Sequence, residues 1–247
     1  MDKILEVKNM DVGYSGKTIL KDISFHIKKG EIAVIAGKSG SGKSTILKTL
    51  IGLIPPVKGD VRFFGDTVDY FSERSFCPIY KRIGVLYQNN ALINSFNVYD
   101  NIALPVKMEF PGISREIEEE MVYSRLAQVG LYGVEKLFPS EISGGMKKRA
   151  ALARAMILNP EIIFCDEPSA GLDPITAGSI DDLIVSLKNL FNITFLVVTH
   201  ELRSIRAIAG RILVLKEGKL HYFGNYKDMM DKQDLFISKF FSGGKKE

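Results

Sequence analysis

A glycine-rich loop between an apolar strand and a helix most constrains the fold of this chain. Residues 37–45 read Gly-Lys-Ser-Gly-Ser-Gly-Lys-Ser-Thr and match the pattern G-x-x-x-x-G-K-[ST] in full. Residues 31–36 are a predicted strand, and a helix is predicted to begin near Ser44. Glycines let backbone N–H groups turn inward around a phosphate, and the helix directs its positive end at it. The loop therefore predicts a nucleoside triphosphate site.

Each residue of this phosphate loop (residues 37–45) has a predicted part in holding the nucleotide. Lys43 places a cation on the β- and γ-phosphates, and the Ser44 hydroxyl is a predicted ligand of Mg²⁺. The other residues predicted to contact the nucleotide are Gly37, Ser39, Gly40, Ser41, Gly42 and Thr45.

Two acidic residues follow a second apolar strand. Residues 162–165 are apolar and lead to Asp166 and Glu167. A carboxylate at the carboxyl end of a buried strand can hold Mg²⁺ through water, and this is the role predicted for Asp166. Glu167 comes one residue later, so its side chain points elsewhere, and it is the predicted general base for an attacking water.

Two further polar residues end predicted strands. His200 follows the strand 195–199, and strand ends next to a phosphate loop point at the γ-phosphate in this topology. Gln88 ends another strand at the edge of a helical segment, where it could contact Mg²⁺ or the water. Lone histidines are usually structural, and that is the interpretation for His26 and His221.

A second predicted anion site lies about a hundred residues after the first. Ser143, Gly144 and Gly145 open an alanine-rich helix, where a hydroxyl, free backbone amides and the helix dipole converge. The cations that follow, residues 147–149, either add positive potential to this site or form a solvated face.

The overall composition is that of an ordinary globular protein. Of 247 residues, 46% are hydrophobic and 25% charged, and the formal net charge is +4. No apolar run approaches the length that spans a bilayer, and the first residues lack a signal pattern, so a cytoplasmic location is expected. Cys77 and Cys165 are expected to be free thiols. No pattern indicates nucleic-acid binding.

Strands that alternate with helices predict an α/β fold. Alternating strands near residues 4–7 and 23–27 favour an antiparallel β subdomain, whereas continuously apolar strands at 161–165 and 193–198 favour a buried parallel sheet. The core is predicted to comprise residues 1–88 and 159–224 of a single domain.

An α-helical subdomain is predicted as an insertion at residues 89–158. Its helix 115–129 should bury one face and end at Gly130, and three prolines are expected to interrupt the remainder. The buried face would be Ile117, Met121, Val122, Leu126 and Val129, and the prolines are Pro105, Pro111 and Pro139. Residues 225–247 form a predicted helical tail, whose apolar face should pack on the chain's own core in preference to a partner.

In this order, the motifs resemble those of the ATP-binding cassette of ABC ATPases, and the resemblance covers almost the whole chain. It implies a P-loop fold, ATP and Mg²⁺ as ligands, and a homodimer that closes around two ATP molecules. Residues 143–145 would then bind the γ-phosphate held by the other chain. The resemblance also implies that Tyr14 stacks on adenine and that Asp173, in Gly-Leu-Asp, connects the two sites.

One departure from the common cassette pattern resembles a particular group. Met146 stands where most cassettes have glutamine, and Ile142 stands where they have leucine. Met146 with the run 147–155, and the run Gly-Leu-Asp-Pro-Ile-Thr at 171–176, resemble the Mla-type lipid-transport cassettes. That resemblance implies phospholipid transport, an integral-membrane permease, an MCE-domain lipid-binding subunit, and a peripheral position on the cytoplasmic face of the inner membrane.

Other cassette functions share the same catalytic residues. The chain could regulate a membrane or cell-division complex, or power the transporter of another substrate. A soluble ABC ATPase of translation or DNA repair is disfavoured, because those proteins carry two cassettes or long insertions, which this chain lacks. The resemblance therefore leaves the cargo and its direction open.

Overall fold

The computed structural model describes residues 3–14, 17–232 and 234–242. Within these ranges the strands are β1 (Lys3–Tyr14), β2 (Lys17–Lys28), β3 (Ile32–Gly37), β4 (Lys58–Phe63), β5 (Asp66–Thr67), β6 (Ile83–Leu86), β7 (Ile162–Asp166), β8 (Thr194–Val198), β9 (Arg211–Lys216) and β10 (Lys219–Asn225). The α-helices are α1 (Lys43–Leu50), α2 (Glu73–Tyr80), α3 (Val98–Glu109), α4 (Arg115–Gln128), α5 (Gly144–Met156), α6 (Pro174–Phe191), α7 (Leu202–Ile208), α8 (Tyr226–Met230) and α9 (Leu235–Phe241).

A mainly parallel sheet forms the centre of the fold. Its strand order is β10-β9-β3-β8-β7-β6, and only β10 runs antiparallel to its neighbour. Every residue of β3, β7 and β8 is buried, which explains why their sequences are continuously apolar. The carboxyl ends of the parallel strands share one edge of the sheet, and the loops that follow them lie together there.

A smaller antiparallel sheet, of order β2-β1-β4-β5, packs against the central one. The contact includes Phe63 of β4 and Phe164 of β7, whose ring centroids are 6.1 Å apart. The predicted antiparallel subdomain and α/β class are therefore confirmed. The sequence interpretation contained neither β4 nor β5.

Helices α3, α4 and α5 share an apolar core of their own, as the helical prediction requires. The side chains of Asn97 and Ser114 cap α3 and α4, because each accepts a hydrogen bond from a backbone N–H in the first turn of its helix. Two details of the prediction are wrong. Pro105 lies inside α3 rather than interrupting it, because buried packing of α3 outweighs one lost backbone hydrogen bond. Ile117 is exposed, although Val122 and Leu126 of the same helix are buried.

The end of the described chain packs on the central sheet. Ile237 and Phe241 of α9 are buried in the core shared by β8, β9 and α7, and Arg206 donates to the Phe241 carbonyl at 2.8 Å. The predicted packing of this tail helix on the chain's own core is confirmed for Ile237 and Phe241. Residue 233 and residues 243–247 of the predicted tail lie outside the described residues, and the subdomain limits stay predictions. Cys77 and Cys165 are free, as expected.

Among the described helices, none is long and apolar enough to cross a membrane.

Candidate nucleotide site

The phosphate loop joins β3 to α1 through a backbone that favours glycine. Gly40 and Gly42 have φ of +77° and +95°, in the left-handed region. A Cβ atom on Gly42 would lie 2.7 Å from the Leu20 side chain, and one on Gly37 would lie 2.6 Å from the Ser41 hydroxyl. The loop therefore folds tightly back to the amino end of α1, the geometry that a phosphate requires.

Lys43 is the buried cation of this loop. It is only 7% exposed, and its Nζ donates to the carbonyls of Gly37 at 2.9 Å and Lys38 at 3.1 Å. Desolvation lowers its pKa, although the carboxylates of Glu167 and Asp166 partly offset this effect. An anion beside Lys43 would stabilise its charged ammonium against this desolvation, and phosphate is such an anion.

Asp166 and Ser44 meet at the predicted magnesium site. Asp166 ends β7, and the Ser44 hydroxyl donates to its Oδ1 at 3.4 Å. Burial raises the pKa of Asp166, and the neighbouring Glu167 raises it further. A hydroxyl and a carboxylate are the oxygen donors that Mg²⁺ prefers, and a bound dication would relieve the repulsion between the two carboxylates. These residues therefore fit the ion.

Glu167 is held in a strained backbone conformation with one carboxylate oxygen free. Its φ is +49°, and its N–H donates to the Val198 carbonyl at 2.8 Å. Its Oε1 lies 2.6 Å from Nδ1 of His200, whereas Oε2 is buried and has no hydrogen-bond partner among the described residues. A buried carboxylate oxygen without a partner suits contact with a water molecule.

Gln88 lies beside Glu167 because β6 and β7 are neighbours. The register pairs Leu86 with Cys165, so the chain leaves both strands at the same level. The Lys148 ammonium bridges the two loops, donating to the Gln88 carbonyl at 2.6 Å and the Glu167 carbonyl at 3.3 Å. The structure thus gathers the predicted residues of β3, β6, β7 and β8 at one sheet edge.

Lys148 is the site residue that the sequence interpretation missed. The sequence leaves two interpretations of residues 147–149 open, added positive potential or a solvated face, and the burial of Lys148 excludes the solvated face for that residue. Lys148 is 3% exposed, and the Arg149 guanidinium donates to the Val129 carbonyl at 2.6 Å. Helical spacing could have indicated that Lys148 is buried, because it lies on the same helix face as the buried residues Ala151 and Leu152.

The second predicted anion site lies at the start of α5. The exposed Ser143 caps α5 by accepting from the Met146 N–H at 3.3 Å, and Asp173 caps α6. A Cβ atom on Gly145 would lie 2.5 Å from the Thr176 side chain. The structure therefore brings residues 143–145 together with the first turn of α6.

Tyr14 stands near the phosphate loop on the antiparallel sheet. It ends β1 with 40% of its surface exposed. Ile19 and Leu20 of the paired strand β2 lie against Gly42. Tyr14 therefore presents a partly exposed aromatic ring, which is available for stacking.

A family model described as "ABC transporter" matches residues 20–170, more than half of the chain. The chain belongs to the ABC transporter family. It is an ATP-binding cassette that hydrolyses ATP, and the predicted fold and enzyme class are confirmed.

Several cassettes whose names give different cargoes are similar to this one. The intermembrane phospholipid transport system ATP-binding protein MlaF of Haemophilus influenzae is 36% identical over 97% of this chain and 90% of its own. The probable ribonucleotide transport ATP-binding protein mkl of Mycobacterium tuberculosis H37Rv is 38% identical, over 97% of this chain and 66% of its own. A methionine import protein, MetN of Bartonella henselae, is 39% identical over 85% of this chain and 60% of its own.

Solved cassettes share the fold over nearly the whole chain. CbiO1 from Clostridium perfringens, part of the ABC transporter complex cbiONQ, superposes with a TM-score of 0.86 at 28% identity and covers 97% of this chain and 95% of its own. A cassette solved as a dimer in a post-hydrolysis state with ADP and Pi gives 0.80 at 30% identity, over 90% of this chain and 98% of its own.

Proposed function

We propose that this cassette powers a phospholipid transporter of the Mla type, with a permease and an MCE-domain subunit, at the cytoplasmic face of the inner membrane. The observation that carries the proposal is the full-length similarity to MlaF. Met146, where most cassettes have glutamine, supports the same group. The permease and MCE partners follow from this resemblance.

The catalytic unit would be a homodimer with two composite sites. Lys43 and the phosphate loop hold the ATP phosphates, while residues 143–145 of the other chain, exposed at the start of α5, contact the γ-phosphate. The exposed side of Tyr14 receives the adenine. A dimeric cassette of similar fold supports this arrangement.

The roles within one site follow from the geometry. Ser44 and Asp166 would hold Mg²⁺, directly and through water, with Gln88 beside it, and the ion would neutralise charge on the phosphates. Glu167 accepts a proton from the attacking water at its free Oε2, and His200 holds the other carboxylate oxygen. Asp173 caps α6 beside the Gly145 turn and would link the two sites across the dimer.

The permease would dock in a groove between the central sheet and the helices. The groove is lined by Tyr87, Leu104, Met108, Ala155 and Leu158, among others. Met108 is 73% exposed there, so it is an apolar contact available to a partner. Closure of the ATP-bound dimer would move this groove together with Gln88, at the edge of the helical segment.

The decisive experiment is a mild-detergent affinity pull-down of the tagged chain from membranes, with proteins and lipids identified by mass spectrometry. The variant Met108→Glu should lose the permease, whereas Met230→Glu, at an exposed position on α8, should retain it. A permease, an MCE-domain subunit and phospholipid together would support the proposal. A permease with another binding subunit and no lipid would overturn it.

The relatives favour a second candidate, a transporter for another cargo. The relatives mkl and MetN are named for ribonucleotide transport and methionine import, and their identities to this chain are comparable to that of MlaF. A regulator of a membrane or cell-division complex is the remaining alternative. The same pull-down separates the candidates, because the co-purified binding subunit or cell-wall partner differs in each case.

A further inference from the structure

We propose that Lys148 is a positioning residue for ATP hydrolysis, one that holds both the glutamine loop (residues 88–91) and Glu167 in their working geometry. The inference rests on the proposed roles of Gln88 and Glu167, and it is independent of the cargo. It follows from a buried ammonium that bonds to two backbone carbonyls at the nucleotide site.

The environment of Lys148 sets it apart from a surface lysine. It is 3% exposed, and its Nζ donates to the carbonyls of Gln88 and Glu167 at 2.6 and 3.3 Å. Both bonds are to main-chain atoms, so the ammonium leaves the Gln88 and Glu167 side chains available for other contacts. Burial lowers the pKa of Lys148, while Cys165, Asp166 and Glu167 act in the opposite direction. A buried ammonium is retained only where it is satisfied, and these carbonyls satisfy it.

The bond to Glu167 matters because the backbone there is strained. A residue other than glycine at φ +49° persists only when its surroundings hold it. Val198 holds the Glu167 N–H, and His200 holds its carboxylate. The Glu167 carbonyl accepts from the Ala170 N–H at 3.2 Å and from the Lys148 ammonium at 3.3 Å. Loss of the ammonium would remove one of the two donors to this carbonyl, so the strained peptide would be held less firmly and the carboxylate would be placed less precisely.

The bond to Gln88 has a counterpart further along the same helix. Asn90 and Ala91 also have positive φ, and the Arg154 guanidinium donates to their carbonyls at 2.8 and 2.7 Å. The glutamine loop is thus fastened to α5 at three carbonyls by two cations. Only Lys148 also reaches Glu167, so it sets the position of one loop relative to the other.

This arrangement also links the two ATP sites of the proposed dimer. Residues 143–145, at the amino end of α5, face the partner's ATP in that dimer. Lys148, about one turn along, contacts the glutamine loop and Glu167 of its own site. A shift of α5 on binding the partner's γ-phosphate would therefore be transmitted directly to both loops.

Steady-state ATPase kinetics of Lys148→Met, Lys148→Arg and the control Lys188→Met test the inference. Lys188 bonds only to its neighbour Asn189 in the described structure. We expect Lys148→Met to lower kcat at least about tenfold, since small misplacements of catalytic groups have large effects, with KM and the Kd of a fluorescent ATP analogue within about threefold. Lys148→Arg, which keeps the charge and donors, should recover most of kcat, and the control should match the wild type.

Wild-type kcat in Lys148→Met would overturn the inference, as would a parallel loss of kcat and ATP affinity, which indicates general damage. If Lys148→Met does not fold, Lys148→Gln decides instead, because its shorter side chain cannot reach both carbonyls and should lower kcat without changing Kd. Gln88→Ala and Glu167→Gln are assayed alongside. If they are inactive and Lys148→Met is active, only the inference fails; if they are active, the proposed catalytic roles fail.

Discussion

At the scale of single residues, the nucleotide site depends on buried charges that lack full compensation within one chain. Lys43 bonds to carbonyls rather than to a carboxylate, Asp166 is desolvated beside Glu167, and Glu167 keeps one oxygen without a partner. Each deficit corresponds to a contact that ATP, Mg²⁺ or water would make. The site is therefore arranged for ligands, at a cost in stability when they are absent.

The variant Glu167→Gln should abolish turnover and retain ATP. An amide cannot accept the water's proton at neutral pH, so kcat should fall at least about 100-fold. The uncleaved γ-phosphate should keep the two chains together. Phosphate release and light scattering with ATP measure the two effects, and Glu119→Gln on the surface of α4 is the control. Wild-type turnover in Glu167→Gln would refute the base assignment.

Asp181 predicts a pH-dependent stability. It is 2% exposed, neither carboxylate oxygen has a hydrogen bond of good geometry to another described residue, and the nearby Ser204 hydroxyl offsets only part of its desolvation. Burial raises its pKa above the ordinary 3.8. The folded state thus holds this proton more tightly, and the free energy of unfolding should fall as pH rises through that raised pKa.

The variant Asp181→Asn has no carboxyl group to titrate at this position, so it should remove this fall in the free energy of unfolding with rising pH. Its free energy of unfolding should exceed that of the wild type by about 1 kcal/mol at pH 8, and the difference should vanish or reverse near pH 4. Urea denaturation at both pH values measures it. Asp182→Asn, at an exposed position on the same helix, should give no such difference. Parallel pH profiles for wild type and Asp181→Asn would contradict the prediction.

At the scale of elements, the phosphate loop illustrates how backbone and packing act together. Gly42 and Gly65 have nearly the same φ, +95° and +96°, but only Gly42 has close neighbours. Gly42→Ala should therefore add a clash with Leu20 to the backbone strain, and it should weaken ATP binding at least about tenfold. Gly65→Ala should cost about 1 kcal/mol of stability with unchanged ATP affinity.

Titration with a fluorescent ATP analogue and urea denaturation separate the two effects. The comparison isolates the contact, because the strain is common to both variants. Equal ATP affinities for the two variants would show that the packing of β2 against the loop has no part in nucleotide binding.

Helix α9 is short, and its stability derives from the core it covers. Phe241 is buried against Tyr226, with ring centroids 5.9 Å apart, whereas Leu235 of the same helix is 79% exposed. Phe241→Ala should lower the free energy of unfolding by about 3 kcal/mol, and Leu235→Ala should change it by less than about 0.5 kcal/mol. Urea denaturation measures both. Similar values for the two would mean that α9 does not pack stably on the sheet.

At the scale of the whole molecule, the two predicted anion sites of one chain are built from different elements. The phosphate loop is at the edge of the central sheet, and residues 143–145 contact the first turn of α6. A homodimer with composite sites would explain why one chain carries both.

Mixing two inactive variants tests this dimer. Lys43→Met removes the phosphate-loop cation, and Ser143→Arg blocks the second anion site. A mixed dimer retains one site with both halves intact, so an equal mixture should recover about a quarter of the wild-type ATPase activity if chains exchange freely and the sites act independently. ATPase assays of each variant and of the mixture measure it. A mixture as inactive as its components would contradict composite sites.

The sequence by itself determined the chemistry and the order of the motifs. Strand, glycine loop and helix are contiguous, so local pattern sufficed to predict the phosphate loop, the acidic strand end at Asp166 and Glu167, and the helix start at Ser143. The α/β class followed from the same alternation, because parallel strands must be apolar throughout.

Only the tertiary structure decided how distant segments meet. Pro105 is helical because α3 packs on α4 and α5, and Lys148 is buried because α5 covers two loops that are 79 residues apart in the chain. Burial is set by contacts between remote residues, and a lysine on a helix has the same local pattern whether it faces water or a carbonyl. The long-range packing of α5 therefore placed Lys148 at the sheet edge that carries Gln88 and Glu167.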